Sequence, residues 1–283
     1  MKNIVVGIDF SQNSENALRH AVALALKTDA KIHIVWVKTP GASNKLGILD
    51  EKTLVKTAQN RLQELLSVSR AEAPKNEIQT VILEGKAYAE ITQYAANLED
   101  SILVVGSHGV SGFEEMFIGS NTMKIVGLTT VPVLIIGNHI KINRDLTHIM
   151  VPIDTSFETL QKMKTSIAFA KAFSAKLLLL GICAPCTAET KHVINVQLNH
   201  AVGMCSEADV RYSASTIDIH GQVSKSVIDW GKQEDVNLMV IMREEEDDIT
   251  SFWLGSNTRQ LMNYAPMPLL VIPNVNHSGI IRK

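Results

Sequence analysis

The chain has 283 residues, enough for two domains of ordinary size at roughly 150 residues each. With 46% hydrophobic and 20% charged residues it can fill two packed cores, which excludes a mostly disordered chain. A formal net charge of -2 gives no basic footprint for nucleic acid. The longest apolar stretches, Leu177–Leu180 with Ile182 and Val131–Ile136, fall far short of the ~20 residues of a bilayer span, so no membrane partner is expected. The opening run Ile4–Ile8 stops at Asp9, before a secretion-signal core of ~7–15 residues is complete. Cys183, Cys186 and Cys205 are too few and too clustered for a disulfide framework, so the expectation is a reduced, cytoplasmic protein.

The elements alternate in chain order. In the first half, β-rich runs are Asn3–Asp9, Lys31–Val37, Ile78–Leu83, Ser101–Val105 and Val131–Ile136. Helical patterns lie between them at Ser14–Thr28, roughly Asp50–Ala73, Ala87–Leu98 and Gly119–Thr129. Leu18, Val22 and Ala25 or Leu26 recur at helical spacing, one apolar stripe for a sheet to cover. Ser11 or Ser14 serves as the cap of that first helix. The strands are near-continuously apolar, as in a parallel sheet with helices on both faces. Pro40–Leu49 is an irregular excursion after the second strand.

The second half repeats this order, with strands at Thr147–Ile153, Lys176–Ile182, Ser213–Ile219, Asn237–Ile241 and Pro268–Ile272. The repetition extends to residues. Ile4-Val-Val-Gly-Ile-Asp9 returns as Ile149-Met-Val-Pro-Ile-Asp154, and Gly119-Ser-Asn-Thr122 returns intact as Gly255-Ser-Asn-Thr258. Val131-Pro-Val-Leu-Ile-Ile136 matches Met267-Pro-Leu-Leu-Val-Ile272 at the same offset of 136 residues as the Gly-Ser-Asn-Thr repeat. The joint falls near Asn138–Asp145, which predicts two tandem, doubly wound α/β domains with five-stranded parallel sheets, 1–141 and 142–283.

The fourth strand runs into Gly106-Ser-His-Gly109, and nine residues later Gly119-Ser-Asn-Thr122 opens a helix. Gly106 and Gly109 allow close backbone approach and positive φ. Gly119, Ser120 and Asn121 stand where unpaired amides and the helix dipole favour an anion, and the Ser120 and Thr122 hydroxyls add donors. The pattern is a phosphate cradle at the carboxyl edge of the sheet, where ligands of such folds collect. Asp9 suits ribose hydroxyls or a base edge, and Val37 offers main-chain groups to a flat base. The same glycines and hydroxyls also serve ordinary turns and caps.

Gly106-x2-Gly109-x9-Gly119-Ser120, with Asp9 and the Val-Pro-Val-Leu-Ile-Ile ending, resembles the ATP-binding signature of the universal stress protein family, over the whole chain as two units. The resemblance implies an adenine nucleotide alpha hydrolase-like fold whose units pair through their last strands. It also implies binding of ATP or AMP, commonly with a divalent cation such as Mg2+. By position, Asp9 and Val37 would hold the nucleoside, while Gly106, His108, Gly109, Gly119, Ser120, Asn121 and Thr122 would line the ribose and phosphates. His108 reads equally well as a plain loop histidine. Occupancy would order Val110–Ile118 and change the exposure of Phe113, Met116 and Phe117 to protein partners, although plain packing also accounts for that trio.

The second unit departs from the signature. Met242 and Glu245 replace its first two glycines, and Glu244–Asp248 is wholly acidic, so a triphosphate is not expected there. Cys183-Ala-Pro-Cys186, with His192, His200 and Cys205 downstream, admits a zinc or redox reading beside that of ordinary cysteines, and no metal site is assigned. No catalytic constellation is present: there is no Walker lysine, nucleophile elbow or H-E-x-x-H, although slow ATP hydrolysis stays open. A non-nucleotide scaffold and an ATP-using enzyme of related fold remain alternatives. So does a homodimer of the whole chain.

Overall fold

The computed structural model describes residues 1–40, 50–107, 118–137, 140, 145–243 and 255–274. The first unit comprises β1 (Asn3–Ile8), α1 (Gln12–Thr28), β2 (Lys31–Lys38), α2 (Glu51–Glu72), β3 (Ile78–Glu84), α3 (Ala87–Ala96), β4 (Ser101–Gly106), α4 (Ser120–Leu128) and β5 (Val133–Ile136). The second comprises β6 (His148–Ile153), a 3-10 turn (Phe157–Leu160), α5 (Met163–Phe173), β7 (Lys176–Cys183), α6 (Ala188–Glu207), β8 (Tyr212–Asp218), α7 (Val223–Gln233), β9 (Leu238–Met242), α8 (Ser256–Tyr264) and β10 (Leu269–Ile272). Every strand expected from the sequence forms within about two residues of its expected bounds.

The strands join into one sheet of order β3-β2-β1-β4-β5-β10-β9-β6-β7-β8. Pairing inside each unit is parallel, and the units meet at β5 and β10, antiparallel, with Leu270 opposite Leu134. The expected pairing through the last strands is therefore observed. It places two short apolar strands in the middle of the sheet, where their edges are paired rather than left to recruit another chain. The outer strands β3 and β8 carry the exposed and polar positions.

Helices cover both faces. Leu18, Ala21 and Val22 of α1, Leu62 of α2, Met163 of α5 and Ile194 of α6 share one core; Ile91 of α3, Ile125 of α4, Val227 of α7 and Leu261 of α8 share the other. Ala25 lies inside and Leu26 outside, which resolves the alternative left by periodicity. Ser11 caps α1 by accepting from the Ser14 amide. Side chains also bind the units together. Arg243, after β9, donates to the carbonyls of Val126, Gly127 and Thr129 at 3.3, 3.1 and 2.9 Å, closing the C-terminal end of α4 with a cation. Asn263 of α8 accepts from the Ile118 amide, just before α4, at 2.9 Å.

One buried histidine links the fold to pH. His33 of β2 lies 2.8 Å from both Tyr94 Oη and Gln79 Nε2 through Nδ1, and 3.0 Å from Asn3 Oδ1 through Nε2. These partners suit a neutral ring that accepts at Nδ1 and donates at Nε2. Burial, reinforced by the Lys31 ammonium and opposed by Glu77, lowers its pKa to about 4. Since the unfolded chain protonates near 6.5, stability should be full above that pH and fall as pH drops towards 4. The loss should be about 2 kcal/mol, allowing for partial solvent screening. Urea midpoints at pH 7 and 4.5 measure it, and His33→Gln should reduce the difference, leaving the share of His20, whose pKa burial also lowers.

Candidate functional site

In each unit the strand order reverses between the first and fourth strands. In the first unit this puts the crevice between the carboxyl ends of β1 and β4. Asp9 follows β1 and is exposed, accepting from the Ser11 amide at 3.0 Å and the Ser11 hydroxyl at 2.6 Å, while its own amide donates to Ser14 Oγ at 3.3 Å. Val37 lies in the adjacent β2, one residue beyond the Ile8–Trp36 pair. Across the crevice, Gly106 ends β4 and Gly119 precedes α4, and the Gly119 amide donates to the Ser107 carbonyl at 2.8 Å. The structure thus brings Asp9, Val37, Gly106 and Gly119–Thr122 to one edge of the sheet. His108, Gly109, Phe113, Met116 and Phe117 lie outside the described residues, as do 41–49 of the excursion and Glu244–Asp248.

Among the described residues no side chain caps the first turn of α4: its N-cap is Gly119, and the first intrahelical bond runs from the Met123 amide to the Gly119 carbonyl at 3.1 Å. The amides of Ser120, Asn121 and Thr122 therefore have no helical acceptor, and Ser120 and Asn121 are exposed. Such an end carries partial positive charge. An anion is its chemical complement.

Two expectations are corrected. Gly106 does not adopt positive φ; a Cβ there would meet Asn13 backbone atoms at 3.0 Å, so this glycine admits the first turn of α1 against β4. Thr122 is buried, and its hydroxyl donates to the Gly106 carbonyl at 2.9 Å rather than waiting for a phosphate. The second unit repeats that brace, with Thr258 Oγ1 3.5 Å from the Met242 carbonyl. A contact kept in the copy that lacks the signature is a structural one. Only the main-chain amide of Thr122 remains for a ligand.

Sequence reasoning missed what surrounds Asp9. Phe10 has φ 64°, a left-handed conformation rare for a bulky residue. Its ring lies 6.1 Å from that of Trp36 and 4.5 Å under the Arg61 guanidinium. Arg61 also donates to the Phe10 carbonyl and to Glu15. No local pattern announces this long-range clamp.

The second unit copies the Asp turn and then diverges. Asp154 accepts from the Ser156 amide at 2.8 Å, and its own amide donates to Thr159 Oγ1 at 3.1 Å. Lys162 is fully buried, and its Nζ donates to that same Thr159 oxygen at 3.0 Å. Burial lowers its pKa to about 8, against the pull of Asp154. The first unit has apolar α1 residues such as Ala17 and Leu18 in this region, so the buried cation is peculiar to the second.

Cys183 and Cys186 are joined by a disulfide, which overturns the expectation of reduced cysteines; Cys205 is free and buried. His192 and His200 are exposed on α6, and among the described residues the only group with metal-binding side chains in reach of one another is Cys183, Cys186 and Asp218. Among the described residues no helix is long and apolar enough to cross a membrane.

Two parallel α/β units fused through their last strands, each with its crevice at the strand-order reversal, define a tandem protein of the adenine nucleotide alpha hydrolase-like fold. The chain belongs to the universal stress protein family, whose model matches residues 1–137 and again 146–273. It is 32% identical over 143 residues to the universal stress protein YxiE of Bacillus subtilis (strain 168), covering 47% of this chain and 97% of that one. It is 27% identical over 142 residues to the universal stress protein MJ0531 of Methanocaldococcus jannaschii, covering 48% of this chain and 81% of that one. A crystal structure of a universal stress protein from Archaeoglobus fulgidus DSM 4304 superposes with TM-score 0.75 over 96% of this chain and 98% of that one, at 16% identity, which shows a shared fold.

Proposed function

We propose that the first unit, residues 1–141, binds ATP or AMP and acts as a nucleotide-dependent regulator in stress responses, with 142–283 as a partner that lacks the site. What supports it is the open first turn of α4 at the same crevice as Asp9, joined to the Gly106-x2-Gly109-x9-Gly119-Ser120 run; α8 starts equally open at Gly255, but the second unit lacks that run. The amides of Ser120, Asn121 and Thr122 and the Ser120 hydroxyl would hold phosphates; Asp9 would take the ribose, and the Val37 main chain the base. By the family resemblance, His108 and Gly109 complete the phosphate loop. A bound Mg2+ would offset phosphate charge. The proposal includes a cytoplasmic location, where ATP and AMP are abundant.

Met242 and Glu245 stand where the signature of the first unit has Gly106 and Gly109, and Glu244–Asp248 is acidic. A carboxylate within ~4 Å of a phosphate costs about 4 kcal/mol at an effective dielectric of 20. Melting the protein with each nucleotide tests the proposal. Either ATP or AMP at 100 times its dissociation constant should add about 2.7 kcal/mol of stability. No shift with either would overturn binding and favour a scaffold, while sustained turnover with an acceptor would favour an enzyme.

A further inference from the structure

The second unit carries chemistry that the nucleotide proposal does not use. Cys183 is the last residue of β7 and fully buried, whereas Cys186 is half-buried and immediately precedes Thr187, the N-cap of α6. In register, Cys183 lies opposite Asp218, the last residue of β8. Cys186 Sγ is 3.2 Å from Asp218 Oδ1, and Lys191 Nζ is 3.0 Å from Asp218 Oδ2. A disulfide, an accessible sulfur at a helix start, a carboxylate and an ammonium therefore meet at one point of the carboxyl edge.

We propose that Cys183 and Cys186 form a reversible dithiol–disulfide switch that exchanges with low-molecular-weight thiols and disulfides. The two cysteines are three residues apart, and both flanks are already fixed by the β7–β8 ladder and the capped helix. A cross-link closing so short a loop restrains the unfolded chain least, so stapling is a poor account of it. Exposure assigns the roles. Cys186 is the sulfur that an external reagent can reach, and Cys183 is the buried resolving sulfur. The start of α6 favours a thiolate on Cys186, and Lys191, paired with Asp218, offsets the carboxylate that would otherwise oppose it.

In oxidation, the Cys186 thiolate attacks one sulfur of a disulfide RSSR, forming a Cys186–SR mixed disulfide and releasing RS⁻. The Cys183 thiolate then attacks Cys186 Sγ, forming the protein disulfide and releasing the second RS⁻. Two electrons pass from the protein to RSSR, and the two cysteine protons end on two RSH. Reduction runs the same steps backwards. Cys205, which burial pushes up to about 11, takes no part.

The test uses the full-length protein equilibrated in buffers of graded glutathione to glutathione disulfide ratio, then acid-quenched, alkylated and weighed intact. Cys183 and Cys186 should gain or lose two alkyl groups together. The reduced-to-oxidised ratio should change at least tenfold across the series, with Cys205 constant. Cys183→Ser should trap one glutathione on Cys186, whereas Cys186→Ser should trap at least tenfold less on Cys183. A thiol count that stays fixed across the series overturns the proposal, as does stoichiometric zinc in the reduced protein that blocks alkylation. Equal trapping in the two variants overturns the assigned roles. None of these outcomes depends on nucleotide binding.

Discussion

Replacing Ser120 by Asp should weaken ATP and AMP binding by about a thousandfold and leave the fold intact. A carboxylate at the first helical position of α4 would stand where the proposed phosphates lie. At ~4 Å and an effective dielectric of 20 the repulsion is about 4 kcal/mol, some three decades of affinity. That same charge suits an uncapped helix start and should stabilise the protein by about 0.3–1 kcal/mol. The two effects have opposite signs, which separates lost binding from lost folding. Ser120→Ala, which removes only one donor, should cost about 0.5–1.5 kcal/mol of binding. Calorimetric titration beside urea unfolding reads both quantities. Affinity for Ser120→Asp within threefold of the parent would place the phosphates elsewhere.

The second large effect is on stability and runs against the intuition that buried ion contacts hold proteins together. Lys162 keeps its ammonium fully buried with Thr159 as its hydrogen-bond partner and Asp154 as the nearby counter-charge. Its pKa in the folded protein is lowered from 10.5 to about 8, so between those values the unfolded chain binds more protons. Stability must therefore rise with pH from about 8 to 10.5, and below 8 the full penalty of about 3 kcal/mol applies. Lys162→Met keeps the volume and removes the charge, while Thr159 Oγ1 retains the Asp154 amide as its donor. The variant should gain about 2–3 kcal/mol at pH 7 and lose the alkaline rise, as urea unfolding at pH 7 and 10 would show. A loss of stability at pH 7 would mean that the Thr159 hydrogen bond and the attraction of Asp154 outweigh the cost of burying the ammonium.

Much of the fold was legible because the chain states it twice. Short apolar runs bounded by helical stripes recur at matching positions, and pairing β5 with β10 removes two apolar edges. What stayed hidden depends on neighbours distant in sequence. A glycine does not reveal which atom needs its missing side chain, so Gly106 reads as a ligand contact until Asn13 is seen against it. A threonine at a helix start reads as a donor for phosphate until the Gly106 carbonyl is seen to take its proton. The burial of Lys162 has no local signature, since it depends on Thr159 and Asp154 being folded against it. Cys183 and Cys186 leave zinc, redox and ordinary readings open together, since spacing alone does not say that two sulfurs meet. A Cys-x2-Cys at a strand end and before a capped helix was the available signal. The clasp of Arg243 on α4 spans both units and has no local signature.

The stoichiometry of nucleotide binding tests the central claim most directly. Calorimetric titration of the full chain with ATP and with AMP should give one site per chain for the nucleotide that binds. That site should disappear in Ser120→Asp and persist in Lys162→Met. Two sites per chain, or one site that survives Ser120→Asp unchanged, would contradict a single cradle at the start of α4.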